Sequence, residues 1–296
     1  MTTRLLWLET VALAQPTKNK MKKFLVKLFT LILAISFCLP IFACDGDGCQ
    51  KDGCSGCNDR YIEYDETGYS AGGRTIFDKV EDIEIDWITG KILVRVSDSP
   101  DVIISECLLS DAPTTPVPLS VTNDLKSDDL MRVKFIDGVL YIKERKSGKA
   151  TNPPEKMLIV NIPQTALYEL KINSVSADVE ISGATIYNIN IHAVSANINA
   201  TGNFYRFEGD TVSSKTTITS FTELNAIEAN SVSGDYEIYI PSSSNFTVDT
   251  ESITTNIEVL GFSDVNKNYK RIRVGTGIND YDFNGVGGNI KINAIN

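Results

Sequence analysis

Apolar and polar residues alternate along most of the chain from Val80 to its end, with short turns between the alternating runs. In VEDIEIDWITGKILVRV (80–96), the residues Ile83, Ile85 and Trp87 share one side of a predicted strand that turns at Gly90. VKFIDGVLYIKE (133–144) predicts a hairpin, because Asp-Gly readily supplies the positive φ angles of a tight turn. No long amphipathic helical pattern accompanies these strands, so the sequence predicts an all-β protein.

One small polar turn recurs within this alternation. The chain reads NSVSADVEI (173–181), HAVSANINA (192–200), DTVSSKTTI (210–218), NSVSGDYEI (230–238) and ESITTNIEV (251–259). The central apolar residues follow one another at steps of 19, 18, 20 and 21 residues, a mean of 19.5. WITGKILV (87–94) and NGVGGNIKI (284–292) fit the same frame. The step of 33 residues before the last copy predicts an insertion around 267–273. A period near twenty residues is typical of stacked repeats.

Each repeat predicts one coil of a β-solenoid. Two apolar-x-apolar pairs form short strands, and the Gly, Asp and Asn residues between them turn a corner, where Ser and Asp can bond their own backbone. We expect each corner to stack on the next one, with the central valines filling a continuous interior and the backbones pairing between coils at about 4.8 Å. The predicted corner residues are Val175, Ser176, Asp178, Val194, Ser195, Asn197, Val232, Ser233, Gly234, Asp235, Ile253 and Asn256.

Four runs of the chain resemble the bacterial putative-adhesin family of β-strand-repeat proteins, a domain of unknown function. They are DIEIDWITGKILV, DGVLYIKE, LIVNIPQTALYELKINSVSADVEI and YIPSSSNFTVDTESITTNIEV, within residues 76–292. The shared signature is a repeated (I/V)-S-G-D-(I/V)-x-(I/V) after a strand that ends in an apolar residue and Pro. Ala177, Ala196, Ser214 and Thr255 depart from its turn glycine. The resemblance implies a single-stranded, right-handed, β-helix-like solenoid, exported or membrane-anchored, with no catalytic residues to carry over.

Residues 1–43 predict an export signal. Met21-Lys22-Lys23 begins a basic stretch, residues 24–37 are mainly apolar, and Ala43 supplies a small residue before a cut. Met21 has the character of a true start, which would leave residues 1–20 upstream of the natural protein. The apolar run is too short to span a bilayer comfortably.

Cys44 would be the first residue after this cut. The arrangement resembles the lipobox of bacterial lipoproteins, although Phe42 replaces the small or aliphatic residue of that pattern. The resemblance implies a lipid on Cys44 and a membrane-anchored lipoprotein at the cell envelope. Cleavage by an ordinary signal peptidase would instead release a secreted chain.

Charge narrows the range of partners. The full chain carries a formal charge of −10, and removal of residues 1–43 leaves 22 basic and 37 acidic residues, a charge of −15. Phosphates would be repelled, so nucleic acid and anionic lipid surfaces are poor partners.

The segment after Cys44 is rich in Cys, Gly and Asp and predicts a tether over residues 44–72, followed by a solenoid domain over 73–296. We divide that domain into an N-terminal part, 73–165, and regular coils, 166–296. The spacing C-x4-C-x2-C begins an iron–sulfur pattern, but an exported chain favours disulfides, with three connectivities open. We expect neither metal nor cofactor. The candidate disulfide cysteines are Cys49, Cys54, Cys57 and Cys107.

Candidate chemistry in the repeats is sparse. His192 is the only histidine and is expected to face solvent. A polysaccharide-acting enzyme would need two facing carboxylates, but Glu180, Glu237 and Glu258 recur at one repeat position, which favours a solvated ladder. Asp178 and Asp235 are further candidates. Most aromatic residues are expected in the core, while Tyr205 and Tyr239 could project outward to a sugar or a partner protein.

The sequence therefore predicts a non-enzymatic cell-envelope β-solenoid that acts as an adhesin or as a surface binding scaffold. Its expected partners are the membrane, through the lipid on Cys44, and an unknown protein or glycan at the cell surface. Two alternatives stay open, an accessory protein of envelope-stress signalling and a polysaccharide-acting β-helix enzyme.

Overall fold

A computed structural model describes residues 59–72, 75–109, 126–268 and 271–296, which contain twenty strands and no α-helix. This confirms the all-β prediction. The N-terminal strands are β1 (Asp59–Ile62), β2 (Ser70–Ala71), β3 (Thr75–Phe77), β4 (Asp82–Trp87), β5 (Lys91–Val96), β6 (Val102–Leu108), β7 (Arg132–Ile136), β8 (Val139–Lys143), β9 (Gly148–Thr151) and β10 (Lys156–Ile162). The later strands are β11 (Leu167–Ser174), β12 (Asp178–Ala193), β13 (Asn197–Thr211), β14 (Lys215–Ser220), β15 (Ala226–Ser233), β16 (Asp235–Pro241), β17 (Phe246–Leu260), β18 (Val265–Asn268), β19 (Arg271–Val274) and β20 (Asn279–Ile295).

The strands stack in parallel into two faces. Face A consists of β8, β4, β11, the second parts of β12 and β13, β15, and the first parts of β20 and β17. Face B consists of β10, β5, the first parts of β12 and β13, β14, β16, and the second parts of β20 and β17. Apolar side chains from both faces form one core. The predicted stack of parallel coils is confirmed, whereas its right-handed sense stays a prediction.

Long strands pass from one face to the other. In β12, residues 178–182 pair with β5 on face B, and residues 186–193 pair with β11 on face A. The register shifts between Ser182 and Ala184, where Gly183 adopts a φ of 73°. One repeat therefore comprises a strand on each face, a corner and a bend, which explains its length of nearly twenty residues.

The coils do not all stack in chain order. Residues 82–96 lie between the coil 139–162 and the coil 167–182, because β4 pairs with β8 and β11 while β5 pairs with β10 and β12. At the other end, β20 lies between the coil 226–241 and the coil 246–260. The expectation that each corner stacks on the next one along the chain therefore holds only for the central coils. The repeat spacing does not encode these two insertions.

Hairpins close the stack at both ends. β7 and β8 pair in an antiparallel hairpin through Asp137 and Gly138, both at positive φ, as predicted. β18 and β19 form a second antiparallel hairpin on the edge of β17, which accounts for the predicted insertion in the 33-residue step. β1 and β2, which fall within the predicted tether, pair with β9 and β7.

Burial at the corners corrects one expectation. Val175, Val194 and Val232 are half-buried on the outer side, while Ala177 is 0 % exposed and Ala196 6 %. The expectation that the central valines fill the interior is wrong. The alternation of inward and outward side chains begins anew after the turn, so the residue two positions after each valine points inward. Little space is available there, which favours Ala or Gly. At Gly234, an added Cβ would lie 2.4 Å from the Ser231 Oγ.

A buried ion pair lies at the N-terminal end of the core. The Lys156 Nζ atom lies 2.6 Å from the Glu106 Oε2 atom, with side chains that are 2 % and 0 % exposed. Lys156 also donates to the Asp129 and Glu144 carbonyls and lies 4.9 Å from the centroid of the Trp87 ring. The other Glu106 oxygen accepts a bond from the Met131 N–H at 2.7 Å. This pair joins β6, β10 and the segment before β7, and its saturated hydrogen bonding marks it as structural.

Candidate functional site

The first residue of each recurring turn lies in a polar ladder on the outside of face A. Asn173 donates to Asp86 at 2.7 Å, Asn230 donates to Asp210 at 2.8 Å, and Asn284 donates to Asn230 at 3.2 Å. His192 occupies the same ladder. Its Nδ1 lies 3.2 Å from the Asp210 Oδ2, and its side chain is 33 % exposed, as expected for an outward histidine. The polar side chains of this ladder therefore form hydrogen bonds between neighbouring coils.

The acidic corner residues bond between coils. The Asp178 Oδ1 accepts bonds from the Asn197 backbone N and Nδ2, at 3.1 and 3.0 Å. The Asp235 Oδ1 accepts the same two bonds from Asn289, at 2.8 and 2.9 Å. Asn256 lies opposite Asn289 in the neighbouring coil. These residues therefore join adjacent corners, whereas the sequence suggested bonds to their own backbone.

The serines of the turn divide into two roles. Ser174 and Ser252 accept bonds from the backbone N–H groups of Ala177 and Thr255, at 2.9 and 3.1 Å. The second serines, Ser176, Ser195 and Ser233, are exposed. Ile253 lies within β17. The first serines thus stabilise the turn, while the second serines face solvent.

The carboxylates considered for glycoside chemistry have structural neighbours. Glu180 forms an ion pair with Lys91 at 2.7 Å, and Glu237 accepts a bond from the Tyr239 hydroxyl at 2.7 Å. Lys291 lies between Glu237 and Glu258 in the strand register of face B. The row formed by Glu237, Lys291 and Glu258 therefore alternates in charge across the three strands. Within the residues that the structure describes, no group of three or more His, Cys, Asp or Glu side chains is placed to hold a metal ion.

The cysteine predictions fall largely outside the described residues. Cys44, Cys49, Cys54 and Cys57 belong to that part of the chain, as do the export signal and the first part of the tether. Cys107 lies on β6, where it is buried against Met157 and Ile159. The lipid attachment and the disulfides stay predictions.

The repeat aromatics divide between the core and the surface. Phe204, Phe207, Tyr236 and Phe246 are buried, as expected. Burial raises the pKa of Tyr236 to about 12, and its hydroxyl lies 3.3 Å from the Thr211 Oγ1. The other four lie outward or half-exposed, which exceeds the two that the sequence suggested: Tyr187, Tyr205, Phe221 and Tyr239.

Three outward tyrosines on consecutive coils of face A form what we call the tyrosine ladder: Tyr168, Tyr187 and Tyr205. The strand register places each opposite the next. The rings of Tyr168 and Tyr187 have centroids 6.5 Å apart and a tilt of 42°, and those of Tyr187 and Tyr205 are stacked at 4.8 Å and 25°. Tyr168 is 61 % exposed and Tyr187 is 45 % exposed. The spacing of 19 and 18 residues is a sequence signal for this ladder, although Tyr168 precedes the first copy of the turn.

The rings of the ladder contact one another along the stack. Tyr187 lies between the other two rings, with one ring stacked against it and the other tilted. A sugar that stacks on an aromatic side chain uses the ring face, which favours isolated or splayed rings. A row of neighbouring tyrosines instead suits a protein surface, where tyrosine supplies apolar area and a hydrogen-bonding hydroxyl.

No family model matches the chain, and no curated protein matches it. Among solved structures, a putative cell adhesion protein from Clostridium sporogenes is similar at 11 % identity and a TM-score of 0.41, covering 77 % of this chain and 98 % of its own. A putative adhesin from Bacteroides fragilis is similar at 15 % identity and a TM-score of 0.29, covering 74 % and 95 %. A putative adhesin from Parabacteroides distasonis is similar at 10 % identity and a TM-score of 0.29, covering 76 % and 96 %. No helix among the described residues has the length and apolar character to cross a membrane.

Proposed function

We propose that the chain is a non-enzymatic binding module of the cell envelope, an adhesin-like β-solenoid that engages a protein at the cell surface through the tyrosine ladder. The observation that carries this proposal is the outward position of three in-register tyrosines on consecutive coils, of which Tyr168 and Tyr187 are exposed and Tyr205 is half-buried. Exposed clusters of aromatic side chains mark interaction sites on soluble proteins. Tyrosine in particular is enriched among the residues that carry most of the binding energy of a protein interface.

The rigidity of the scaffold supports a binding role. Each ladder residue lies within a paired strand and directly follows a buried residue, Leu167, Ile186 or Phe204, so the three rings are held at fixed spacing before any partner arrives. Preorganised side chains lose little conformational freedom on binding. The parallel stack therefore presents the Tyr187 and Tyr205 rings 4.8 Å apart, near the spacing of adjacent strands, and the Tyr168 ring 6.5 Å from that of Tyr187.

The location follows from the N-terminal sequence. The export signal over residues 1–43 would carry the chain out of the cytoplasm, and a lipid on Cys44 would hold it on the membrane with the solenoid facing outward. Fractionation and surface proteolysis of the wild type and of Cys44→Ser test this. Retention of Cys44→Ser on the membrane would contradict the lipid anchor.

The binding role is tested with beads coated with purified mature protein and applied to bacterial and epithelial cells. We expect the triple variant Tyr168→Ser/Tyr187→Ser/Tyr205→Ser to bind at least about tenfold fewer cells, since interface tyrosines are frequent hot spots. Tyr239→Ser, on face B, is the matched control and should bind as the wild type does. Protease treatment of the cells should abolish binding, whereas periodate oxidation of their glycans should not.

Two results would contradict this proposal. Binding by the triple variant at the wild-type level would exclude the ladder as the contact surface. Loss of binding after periodate treatment alone would identify a glycan as the ligand instead of a protein. Unchanged circular dichroism and thermal unfolding of the variant would show that its loss of binding is not a loss of fold.

A further inference from the structure

A polar pocket lies at the C-terminal end of the stack, away from the tyrosine ladder. Its volume is about 360 Å³, and it lies between β17, the β18–β19 hairpin and the loop 275–277. The size falls in the range of small-molecule sites, roughly 300–1,000 Å³. Its lining consists of Thr247, Asn266, Asn268, Arg271, Arg273 and Thr276, with Gly277.

The pocket is rich in hydrogen-bond donors. Two guanidinium groups, two side-chain amides and two hydroxyls line it, and none of the described lining residues carries a carboxylate. Arg271 forms an ion pair with Asp249 at 3.4 Å, which offsets its charge. Arg273 donates its Nε–H to the Gly275 carbonyl at 3.1 Å, and within the described residues its terminal nitrogens have no hydrogen-bond partner. The local site therefore offers one uncompensated positive charge, on a chain whose net charge is −10.

The loop that forms one wall is held in place by its own bonds. The Thr276 N–H donates to the Asn245 Oδ1 at 3.0 Å, and the Thr247 Oγ1 donates to the Gly277 carbonyl at 3.2 Å. Gly277 has a φ of 66°, and an added Cβ would lie 2.6 Å from the Thr247 Oγ1. Only glycine fits this approach, so the sequence GTG (275–277) is explained by the wall of the pocket.

We infer that this pocket binds a monoanionic sugar, of which a uronic acid is the simplest member. The guanidinium group of an arginine binds a carboxylate through two parallel hydrogen bonds. One carboxylate is therefore enough to balance the charge of Arg273. The Asn266 and Asn268 amides and the Thr276 hydroxyl are suited to the hydroxyl groups of a sugar ring. A ligand with more negative charge would meet Asp249 and the acidic surface of the chain.

The test is titration of the isotope-labelled mature protein with sodium glucuronate, glucose and sodium acetate, followed by NMR. Glucuronate should shift backbone amides of residues 245–249 and 271–277 and bind at least about tenfold more tightly than either glucose or acetate, because it alone presents both the charge and the ring. Acetate binding as tightly as glucuronate would identify a simple anion site and overturn the inference. Equal binding of glucose, or no binding of glucuronate, would also overturn it.

Two substitutions on the same hairpin separate the pocket from general charge effects. Arg273→Gln should weaken glucuronate binding about tenfold, since a charged hydrogen bond is lost. Lys267→Gln removes the same charge from the other side of the hairpin and should leave binding unchanged. The triple tyrosine-ladder variant should also bind glucuronate as the wild type does, so a failure of the ladder proposal is distinguishable from a failure of this one. Equal losses in Arg273→Gln and Lys267→Gln would overturn the site.

Discussion

Asp235 and Asn289 are 54 residues apart in the chain but join two adjacent corners of the stack. The Asp235 Oδ1 accepts bonds from the Asn289 backbone N at 2.8 Å and from its Nδ2 at 2.9 Å. We expect Asp235→Ala to lower the free energy of unfolding by about 1 kcal/mol, because both bonds are lost but the groups are exposed to water. Asp235→Asn keeps an acceptor and should cost less. Urea unfolding measures both, and equal losses would contradict the role of this acceptor.

The inward alanine and the outward valine of the first corner provide a matched pair of substitutions. Ala177→Asp would place a charge in the core, where the side chain is 0 % exposed, and should lower the free energy of unfolding by about 3 kcal/mol or more. Val175→Asp, two residues away on the half-buried side, should cost roughly 1 kcal/mol. Chemical denaturation of both variants is the measurement. A larger loss in Val175→Asp would contradict the observed orientation.

The buried ion pair predicts an asymmetric double-mutant cycle. Lys156→Met leaves the Glu106 carboxylate buried without its cation and should cost about 3–5 kcal/mol of unfolding free energy. The double variant Lys156→Met/Glu106→Gln removes the charge while keeping an acceptor for the Met131 N–H, and should recover part of that loss. Additive effects of the two single substitutions would contradict a direct coupling between Lys156 and Glu106.

Buried tyrosines predict a loss of stability at alkaline pH. Burial raises the pKa of Tyr236 from 10.0 to about 12, and burial also raises the pKa of Tyr281. Because the folded state holds the phenol proton more tightly than the unfolded state, the Tyr236 contribution is complete below pH 10. It is lost as the pH rises from 10 to 12, a change of about 3 kcal/mol.

The comparison of Tyr236→Phe with the wild type isolates this contribution. The free energy of unfolding of Tyr236→Phe should fall less steeply between pH 10 and 12, and its value at pH 7 should be lower through loss of the contact with Thr211. Identical slopes for Tyr236→Phe and the wild type would contradict the assignment to Tyr236.

The sequence predicts the strands and their stacking because alternation and a fixed period are local signals. The apolar pairs Val179/Ile181 and Ile189/Ile191 are buried as their spacing indicates. The corner was harder to predict, since the alternation restarts within the turn and a valine is a more obvious core residue than an alanine. A small residue is favoured because little space is left inside the corner. That constraint becomes apparent only from the packing of Ser231 against Gly234.

The tyrosine ladder and the polar pocket differ in how far the sequence predicts them. The tyrosine ladder was encoded in the repeat, at positions 168, 187 and 205, and could have been found by aligning outward residues. The pocket could not, because Thr247 and Arg273 meet only through the antiparallel pairing of β19 with β17, outside the repeat. Contacts that break the period leave no periodic signal.

The placement of β20 between the coils 226–241 and 246–260 has a consequence for biogenesis. A solenoid stacked in chain order could fold progressively from its first coil while the rest of the chain was still being synthesised. Here the coil 246–260 has no neighbouring coil until residues 279–295 arrive, so this part of the stack can assemble only after those residues have left the ribosome. The fold therefore delays completion of its own core until β20 is available to fill the gap between those two coils.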